Sequence, residues 1–386
     1  MGNKKKYIYI LLFLLLTLPA MASSVQQRIT VLFNDSQVYV NNKPISVNSI
    51  TYDGTLYVPL REVSQLLNKE VVYDSKNKIA HINDDKKDLF SELKSIGSAG
   101  INGVNVGMSK DELIDTLGLP NRVDTSIHGF TWYVYNKNLE KYVQAGVKDN
   151  EIVAVYSNIG DWDLEHSVKL GLEKSIIDRK LGSPLPTFEE GNKTYTVTNN
   201  DGMALYKFNK ELYAYIFYDS YNNNTVTGMM MWNKKLPFND IYTGNYNDFD
   251  SVEWQKAMSK QMFDLNNTIR IRNSLNCFKW DNNIASVAYN HSYDMAKNKY
   301  FDHTNKKGKT PFDRLTEHGL KYLLASENIA KGQMNSIFAF EALMNSKSHR
   351  DNILGNYSNL GIGVFYYEGD KKTYYTQNFI TPSLGK

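Results

Sequence analysis

The side chains best suited to chemistry gather in the last third of the chain. Four of the seven histidines lie there: His291, His303, His318 and His349. Histidine both binds metals and transfers protons near neutral pH, so the cluster indicates a His/Glu site. The spacings match no short zinc motif such as His-Glu-x-x-His. They leave open whether these side chains bind a metal, bind a ligand or only form a hydrogen-bond network.

Several helices must position these histidines. Apolar residues recur at helical spacing from Ile284 to Met295, and His291 lies on that apolar face as a hydrogen-bonded core histidine. Thr310-Pro311-Phe312-Asp313 is a capping box that begins a second helix, and His318 caps its end just before Gly319. Asn335 to Ser346 is a third, strongly apolar helix.

A β-hairpin closes this region. Ile362 to Tyr367 and Thr373 to Ile380 are strands that flank Glu368-Gly369-Asp370. Helices packed on an antiparallel sheet make an α+β layered domain. We therefore place a separate domain at residues 255–381 and expect it to fold on its own.

A series of short motifs follows one another along this region: Phe301-Asp302-His303-Thr304, Pro311-Phe312-Asp313-Arg314, Glu327-Asn328-Ile329-Ala330, Met344-Asn345-Ser346, His349-Arg350, Gly361-Ile362-Gly363-Val364 and Tyr375-Thr376-Gln377-Asn378-Phe379. In type and order these motifs resemble those of bacterial CAP domains, the fold of the cysteine-rich secretory proteins. The resemblance implies an α-β-α sandwich with a cavity lined by two histidines and two acidic residues that can hold a divalent metal.

By motif, His303 and His349 take the histidine places and Glu327 the first acidic place. Ser346 falls on the second acidic place, so one carboxylate is lost. The cavity set is then His303, Glu327, His349 and Ser346, and the metal set is His303, Glu327 and His349. Two imidazoles and one carboxylate suit zinc better than calcium. Arg350 is expected to pair with a carboxylate and not with a substrate.

The sequence shows no activated nucleophile that would support the hypothesis of an enzyme. The sequence has no Gly-x-Ser-x-Gly elbow, and the single Cys277 has no histidine near it in the sequence. We interpret Cys277 as a buried structural thiol. A missing carboxylate also removes a general base, which favours binding over hydrolysis.

The middle of the chain, residues 105–239, contains an internal repeat. Gly107 and Gly171, and likewise Pro120 and Pro184, are separated by 64 residues, and each glycine opens a helical run that ends in Leu-Gly-x-Pro. Each run precedes β-rich segments, so we predict a duplicated α+β unit. The block resembles the CAP-associated domain of exported bacterial proteins.

The first block, residues 29–83, is a series of short strands with turn signals between them, and Leu60 to Leu67 is a short helix. Tyr57-Val58-Pro59-Leu60 and Val71-Val72-Tyr73-Asp74 resemble the small stalk domain named after copper amine oxidases. That resemblance implies an envelope spacer and no copper. Residues 84–104, charged and containing glycine, are interpreted as a linker.

The chain begins with three lysines and an apolar run from Tyr7 to Leu18, followed by Ala20-Met21-Ala22. This is the pattern of a signal peptide over residues 1–22, with an uncleaved anchor as the alternative. No second apolar run of that kind follows, so no transmembrane segment is expected in the mature chain. The net charge of +3 implies no nucleic-acid partner.

These observations predict a secreted or envelope-associated α+β multidomain protein. Its most favoured function is a non-enzymatic binding module for a cell-wall or other envelope component or a small ligand, with a cavity able to hold a divalent metal. The alternatives are a metal-dependent hydrolase of envelope peptides or glycans, and a lipid-binding or small-hydrophobe-binding protein.

Overall fold

The structure is a computed structural model that describes residues 30–33, 36–40, 43–45, 49–60, 70–74, 79–83, 99–242 and 251–383. It divides into two compact units, Met1–Phe90 and Ser91–Lys386. The predicted signal peptide, most of the predicted helix from Leu60 to Leu67 and most of the linker fall outside the described residues. Within the described ranges, no helix is both long and apolar enough to cross a membrane.

The first unit contains short antiparallel strands, as the β-rich pattern predicts. The strands are β1 Leu32–Phe33, β2 Val38–Val40, β3 Lys43–Ile45, β4 Ile50–Tyr52, β5 Thr55–Tyr57, β6 Glu70–Asp74 and β7 Ile79–Asn83. Strand β4 lies between β1 and β5, while β2 pairs with β3 and β6 with β7.

The second unit begins with the repeat block. Its strands are β8 Ala99–Ile101, β9 Val104–Asn105, β10 Arg122–Asp124, β11 Thr131–Tyr135, β12 Val143–Lys148, β13 Glu151–Ser157, β14 Trp162–Leu164, β15 Thr187–Glu190, β16 Lys193–Thr196, β17 Met203–Lys207, β18 Leu212–Asp219 and β19 Thr225–Asn233. Seven of them form one antiparallel sheet in the order β10-β11-β12-β13-β19-β18-β17. Its helices are α1 Lys110–Leu117, α2 Lys174–Leu181 and α3 Phe238–Tyr242.

The predicted duplication is visible in the geometry of these helices. Helix α2 starts 64 residues after α1, at Lys174 against Lys110. The glycines that end the two helices have nearly the same backbone angles, with φ 81° at Gly118 and φ 83° at Gly182. Positive φ is a conformation in which glycine carries no steric penalty. The two copies join where β13 pairs with β19 in the middle of the sheet.

The linker prediction is wrong at its C-terminal end. Strand β8 pairs with β14 of the repeat block, and Ile101 faces Trp162 across that ladder. Ile101 and Val104 are completely buried, so burial of these two side chains fixes the segment against the repeat block. A pair of isolated apolar residues among glycines gives too little periodicity to predict such short strands.

The third block contains α4 Val252–Arg272, β20 Lys279–Trp280, α5 Asn282–Lys297, α6 Pro311–Glu317, β21 Tyr322–Lys331, α7 Ser336–Met344, α8 Lys347–Ile353, β22 Asn359–Tyr367 and β23 Lys372–Pro382. The sheet order is β20-β22-β23-β21. Adjacent strand residues point to opposite faces. Ile380 packs with α5 and α6, whereas Phe379 belongs to the core that holds α4, α7 and α8. The predicted α-β-α sandwich and hairpin are therefore confirmed.

Two glycines of β22 let helix α5 lie directly on the sheet. A Cβ atom on Gly361 would come 2.2 Å from the backbone nitrogen of Ala285, and one on Gly363 would come 2.0 Å from that of Tyr289. Any side chain at either position would force the helix and sheet apart, because packed interiors leave no such room.

The repeat block and the third block share one hydrophobic core. Phe338 of α7 makes edge-on contacts with Tyr215 and Phe217 of β18, with ring centroids 5.2 and 5.4 Å apart. Trp254 of α4 is completely buried in the same cluster. Independent folding of the third block stays a prediction, and a separated block would expose these apolar side chains to water.

Candidate functional site

The site lies at the edge strand β21, where two consecutive residues point to opposite faces of the sheet. Glu327 is paired in register with Asn378, and Asn328 with Gln377. Glu327 faces the side of α6, where it contacts Arg314. Asn328 faces the side of α8, where its amide donates to the backbone oxygen of His349 at 3.0 Å.

Both oxygens of the Glu327 carboxylate are engaged. Oε1 lies 2.9 Å from Nδ1 of His303, and Oε2 accepts a 2.7 Å hydrogen bond from Arg314. The Glu327 side chain is only 1% exposed. A buried carboxylate needs such a cation and hydrogen bonds, because burying an unpaired charge is very costly.

Arg314 also fixes the loop that carries His303. Its second guanidinium nitrogen donates to the backbone oxygens of His303, at 2.8 Å, and Lys309, at 3.0 Å. The capping box of Thr310 and Asp313 begins helix α6 as predicted and so places Arg314 one turn into the helix. Arg314 was part of a motif in the sequence but had no predicted role. The sequence signal for that role was Glu327 at a predicted cavity position, because a buried carboxylate requires a cation.

His291 is the core histidine that the helical pattern predicts. It is 1% exposed, and Nε2 lies 3.1 Å from the backbone oxygen of Asp302. Burial lowers its pKa to about 4, although the Glu327 carboxylate acts in the opposite direction. Nε2 is also 3.7 Å from Oε1 of Glu327. His291 is therefore a neutral neighbour of the site that sequence reasoning had placed outside it.

His349 lies on α8, whose N-cap residue is Ser346. Its Nδ1 is 2.8 Å from the Ser346 hydroxyl. Burial lowers the pKa of His349, and the charge of His303 lowers it further. Among the predicted cavity residues, the structure thus forms two contacting pairs: His303 with Glu327, and His349 with Ser346.

The remaining predicted residues lie apart from this cluster. His318 caps α6, with Nδ1 2.9 Å from the Arg314 backbone oxygen, as expected. Arg350 forms the expected ion pair, at 2.7 Å, with Asp219 of the repeat block. Cys277 is exposed, so its prediction as a buried thiol is wrong. It lies in the segment between α4 and β20, where neighbouring Phe278 takes the buried position.

The donor set fits a metal only in part. Among the described residues, no three His, Cys, Asp or Glu side chains are grouped so that they could hold a metal ion. Glu327 has both oxygens committed, and so it does not fit as a direct ligand. The hydrogen bonds of His303 and His349 use Nδ1 in each ring, which leaves the two Nε2 atoms as the nitrogens that a metal could bind. A metal-binding histidine usually donates its other ring N–H to a carboxylate, a backbone carbonyl or water, and His303 has the Glu327 carboxylate in that place.

Residues 263–379 match the model of the cysteine-rich secretory protein family, known as CAP. Over 290 residues, covering 71% of this chain and 82% of the relative, the sequence is 31% identical to a Bacillus subtilis protein named uncharacterized membrane protein YlbC. The chain belongs to the CAP family. The third block is therefore called the CAP block.

Other comparisons cover the preceding blocks. Residues 106–240 match the CAP-associated N-terminal model, and residues 33–116 match the copper amine oxidase N-terminal domain model. A Bacillus subtilis protein named uncharacterized protein YkwD is 37% identical over 125 residues, which is 32% of this chain and 47% of that protein.

Two solved structures share the fold. One is an extracellular protein containing an SCP domain from Bacillus anthracis, with a TM-score of 0.63 and 24% identity over 80% of this chain and 99% of that one. The other is a cysteine-rich secretory protein from Staphylococcus aureus, with a TM-score of 0.59 and 22% identity over 71% of this chain and 91% of that one.

Proposed function

We propose that this chain is an exported, envelope-associated binding protein whose CAP block holds a small ligand or a divalent metal between His303 and His349. The observation that carries this proposal is the buried Glu327 carboxylate, fixed between His303 and Arg314. A general base must reach the proton that it removes. A carboxylate with both oxygens committed instead orients His303, which supports binding over hydrolysis.

In this proposal Glu327 and Ser346 orient the two rings through their Nδ1 atoms. Each ring then offers Nε2, and a bound metal would supply a Lewis acid that polarises a ligand oxygen. Zinc is favoured because imidazole suits it, with water completing the coordination. Two protein ligands in place of three or four predict weak affinity.

The metal part is tested by titration calorimetry with zinc at neutral pH. His349→Ala is expected to abolish the heat of binding. His318→Ala is the matched control, because His318 only caps α6. Absence of zinc uptake by the unmodified protein, or equal uptake by His349→Ala, would leave these residues as a structural hydrogen-bond network.

The choice between binding and hydrolysis is tested with isolated cell-wall fractions, with and without a chelator. Co-sedimentation of the full chain without soluble fragments supports the binding proposal. Chelator-sensitive release of peptide or glycan fragments, detected by mass spectrometry, would establish the hydrolase alternative instead.

A groove in the CAP block favours small hydrophobic ligands as a second candidate. A cavity of about 470 Å³ lies among α4, α5 and β22. Trp280 and Tyr289 supply aromatic surface, and Lys256 and Lys260 lie beside it. An acyl chain with an anionic headgroup fits this combination. The test is the binding of a fluorescent fatty acid to the full chain and to the Tyr289→Ala variant. Equal affinity of the two proteins would count against the candidate.

Export is also part of the proposal. The leader pattern supports it, and one structural relative is described as extracellular. The relative named as a membrane protein makes a retained N-terminal anchor the alternative outcome. Cell fractionation, with N-terminal sequencing of the exported form, distinguishes the two.

A further inference from the structure

A second cavity, separate from the histidine site, lies where the repeat block meets helix α7 of the CAP block. Its volume is about 550 Å³, which is within the range of roughly 300–1,000 Å³ typical of small-molecule sites. Both blocks contribute walls: Asn200, Asp201 and Ser220 come from one, and Gln333 and Glu341 from the other. None of its lining residues belongs to the histidine site.

The two walls are fixed to each other by one amide. The Asn345 side-chain oxygen accepts hydrogen bonds from the Ser220 backbone nitrogen, at 2.9 Å, and from the Ser220 hydroxyl, at 2.7 Å. The Asn345 amide nitrogen donates to the Tyr218 backbone oxygen at 2.8 Å. A Cβ atom on Gly202 would come 2.8 Å from that same nitrogen, so the chain passes it closely. The cavity is therefore preformed.

Two amides in the cavity wall have unused hydrogen-bonding capacity. The side-chain oxygen of Gln333 is buried and has no hydrogen-bond partner among the described residues. Its backbone is held in place, because its carbonyl accepts from the Tyr375 hydroxyl at 2.9 Å. The Asn200 side-chain oxygen accepts from the backbone nitrogens of Gly202 and Met203, at 2.8 and 3.0 Å, which leaves its amide nitrogen to donate. Buried polar atoms are rarely left unpaired, so a donor from outside the chain fits Gln333.

The rest of the lining selects the ligand's chemistry. Phe338 provides an apolar aromatic wall, and the completely buried Phe217 packs behind it. Asp201 is acidic, and none of the described residues that line the cavity is basic. An anionic ligand would meet repulsion without a compensating cation. A neutral ring that carries hydroxyl and amide groups satisfies the free acceptor, the free donor and the aromatic wall together.

We infer that this junction cavity binds an uncharged sugar of the N-acetylhexosamine type. The aromatic wall contacts the apolar face of the ring, Gln333 accepts a hydroxyl or amide proton, and Asn200 donates to a ring or acetyl oxygen. The site is independent of the proposed metal: a chelator and His349→Ala should both leave sugar binding unchanged, so failure of the metal proposal would not affect it.

The test is titration calorimetry of the full chain with N,N′-diacetylchitobiose, which is neutral, and with an anionic hyaluronan disaccharide. Saturable binding of the neutral sugar alone is expected. Gln333→Leu should weaken it at least about tenfold, the effect of losing roughly 1.4 kcal/mol. Asn356→Leu, an exposed change away from the cavity, is the matched control.

A second variant blocks the cavity without touching the core. Ala342 lines the cavity and is exposed, so Ala342→Trp should fill the space and abolish binding while circular dichroism stays unchanged. Absence of saturable binding to the unmodified chain would overturn the inference. Unchanged affinity in Ala342→Trp and Gln333→Leu, or equal binding of the anionic sugar, would also overturn it.

Discussion

Glu341 makes the junction between the repeat block and the CAP block sensitive to pH. The carboxyl group is 3% exposed and accepts hydrogen bonds from the hydroxyls of Tyr156, at 3.1 Å, and Thr227, at 3.0 Å. Burial raises its pKa to about 7, although these two hydrogen bonds and the charge of Arg272 lower it. The native state therefore holds a proton on Glu341 at pH values where the unfolded chain has lost it.

The sign and size of the effect follow from that difference. An ordinary glutamate titrates near 4.5, and each unit of pKa shift corresponds to about 1.4 kcal/mol. Stability from the protonated carboxyl is complete below pH 4.5 and is lost as pH rises to about 7. The total loss is ~3 kcal/mol, because the native carboxylate is desolvated and the unfolded one is not.

Glu341→Gln removes this titration while keeping the side chain's shape. At pH 5 the variant and the unmodified protein should differ little in the free energy of unfolding. At pH 8 the variant should be more stable by up to ~3 kcal/mol. Taking the difference between the two proteins cancels the contributions of other titrating groups, since sites far apart contribute additively.

Urea unfolding followed by tryptophan fluorescence measures this difference. All five tryptophans lie between residues 132 and 280, in the second unit, so the signal reports on that unit. Glu368→Gln, at an exposed turn position of the CAP block, is the control and should show no such pH dependence. If Glu341→Gln is less stable than the unmodified protein at pH 8, Arg272 and the two hydroxyls stabilise the carboxylate enough to overcome burial.

Three further results are expected. Arg314→Met should destabilise the second unit by roughly 3–5 kcal/mol in urea unfolding, because it leaves Glu327 buried without its cation; a change under 1 kcal/mol would refute the ion pair's role. A chain that begins at Ser251 should unfold at lower urea than one with both blocks, since Phe338 loses its aromatic neighbours; an equal midpoint would show that the CAP block is self-sufficient. N-terminal sequencing of exported protein should start at Ser23, and a retained Met1 would show an anchor instead.

Local signals in the sequence predicted the local structure well. The 64-residue repeat corresponds to α1 and α2, whose bounds have the same offset. The capping box at Thr310 begins α6, and the turn at Gly369 joins the final hairpin. Each of these features depends on residues only a few positions apart, so a single sequence carries enough information for them.

Contacts between distant parts of the chain were harder to predict. The pairing of Arg350 with a carboxylate was expected, but Asp219 lies 131 residues away in another block. The burial of Ile101 against Trp162 and the role of Arg314 depend on the same kind of long-range packing. Neither periodicity nor turn chemistry encodes which surfaces of two blocks meet.

Helix α7 shows why the two blocks act together. Its sequence from Ser336 to Met344 has almost no polar face, and eight of its nine residues are buried. A helix that is apolar on all sides must be covered on all sides. The CAP sheet covers one side of α7 and the repeat sheet covers the other. The apolar pattern that predicts a core helix therefore marks the junction between the two blocks.

The repeat block therefore also holds part of the histidine site. Arg350 follows His349 on helix α8, and both of its terminal nitrogens contact the Asp219 carboxylate of β18, at 3.1 and 2.7 Å. A bidentate pair of this kind fixes direction as well as distance. On the opposite side of the site, His303 is fixed by Glu327 and Arg314 from within the CAP block. One histidine is thus positioned by the CAP block alone, and the other by a helix that is tied to the repeat block. The orientation of the two rings relative to each other depends on the docking of the two blocks.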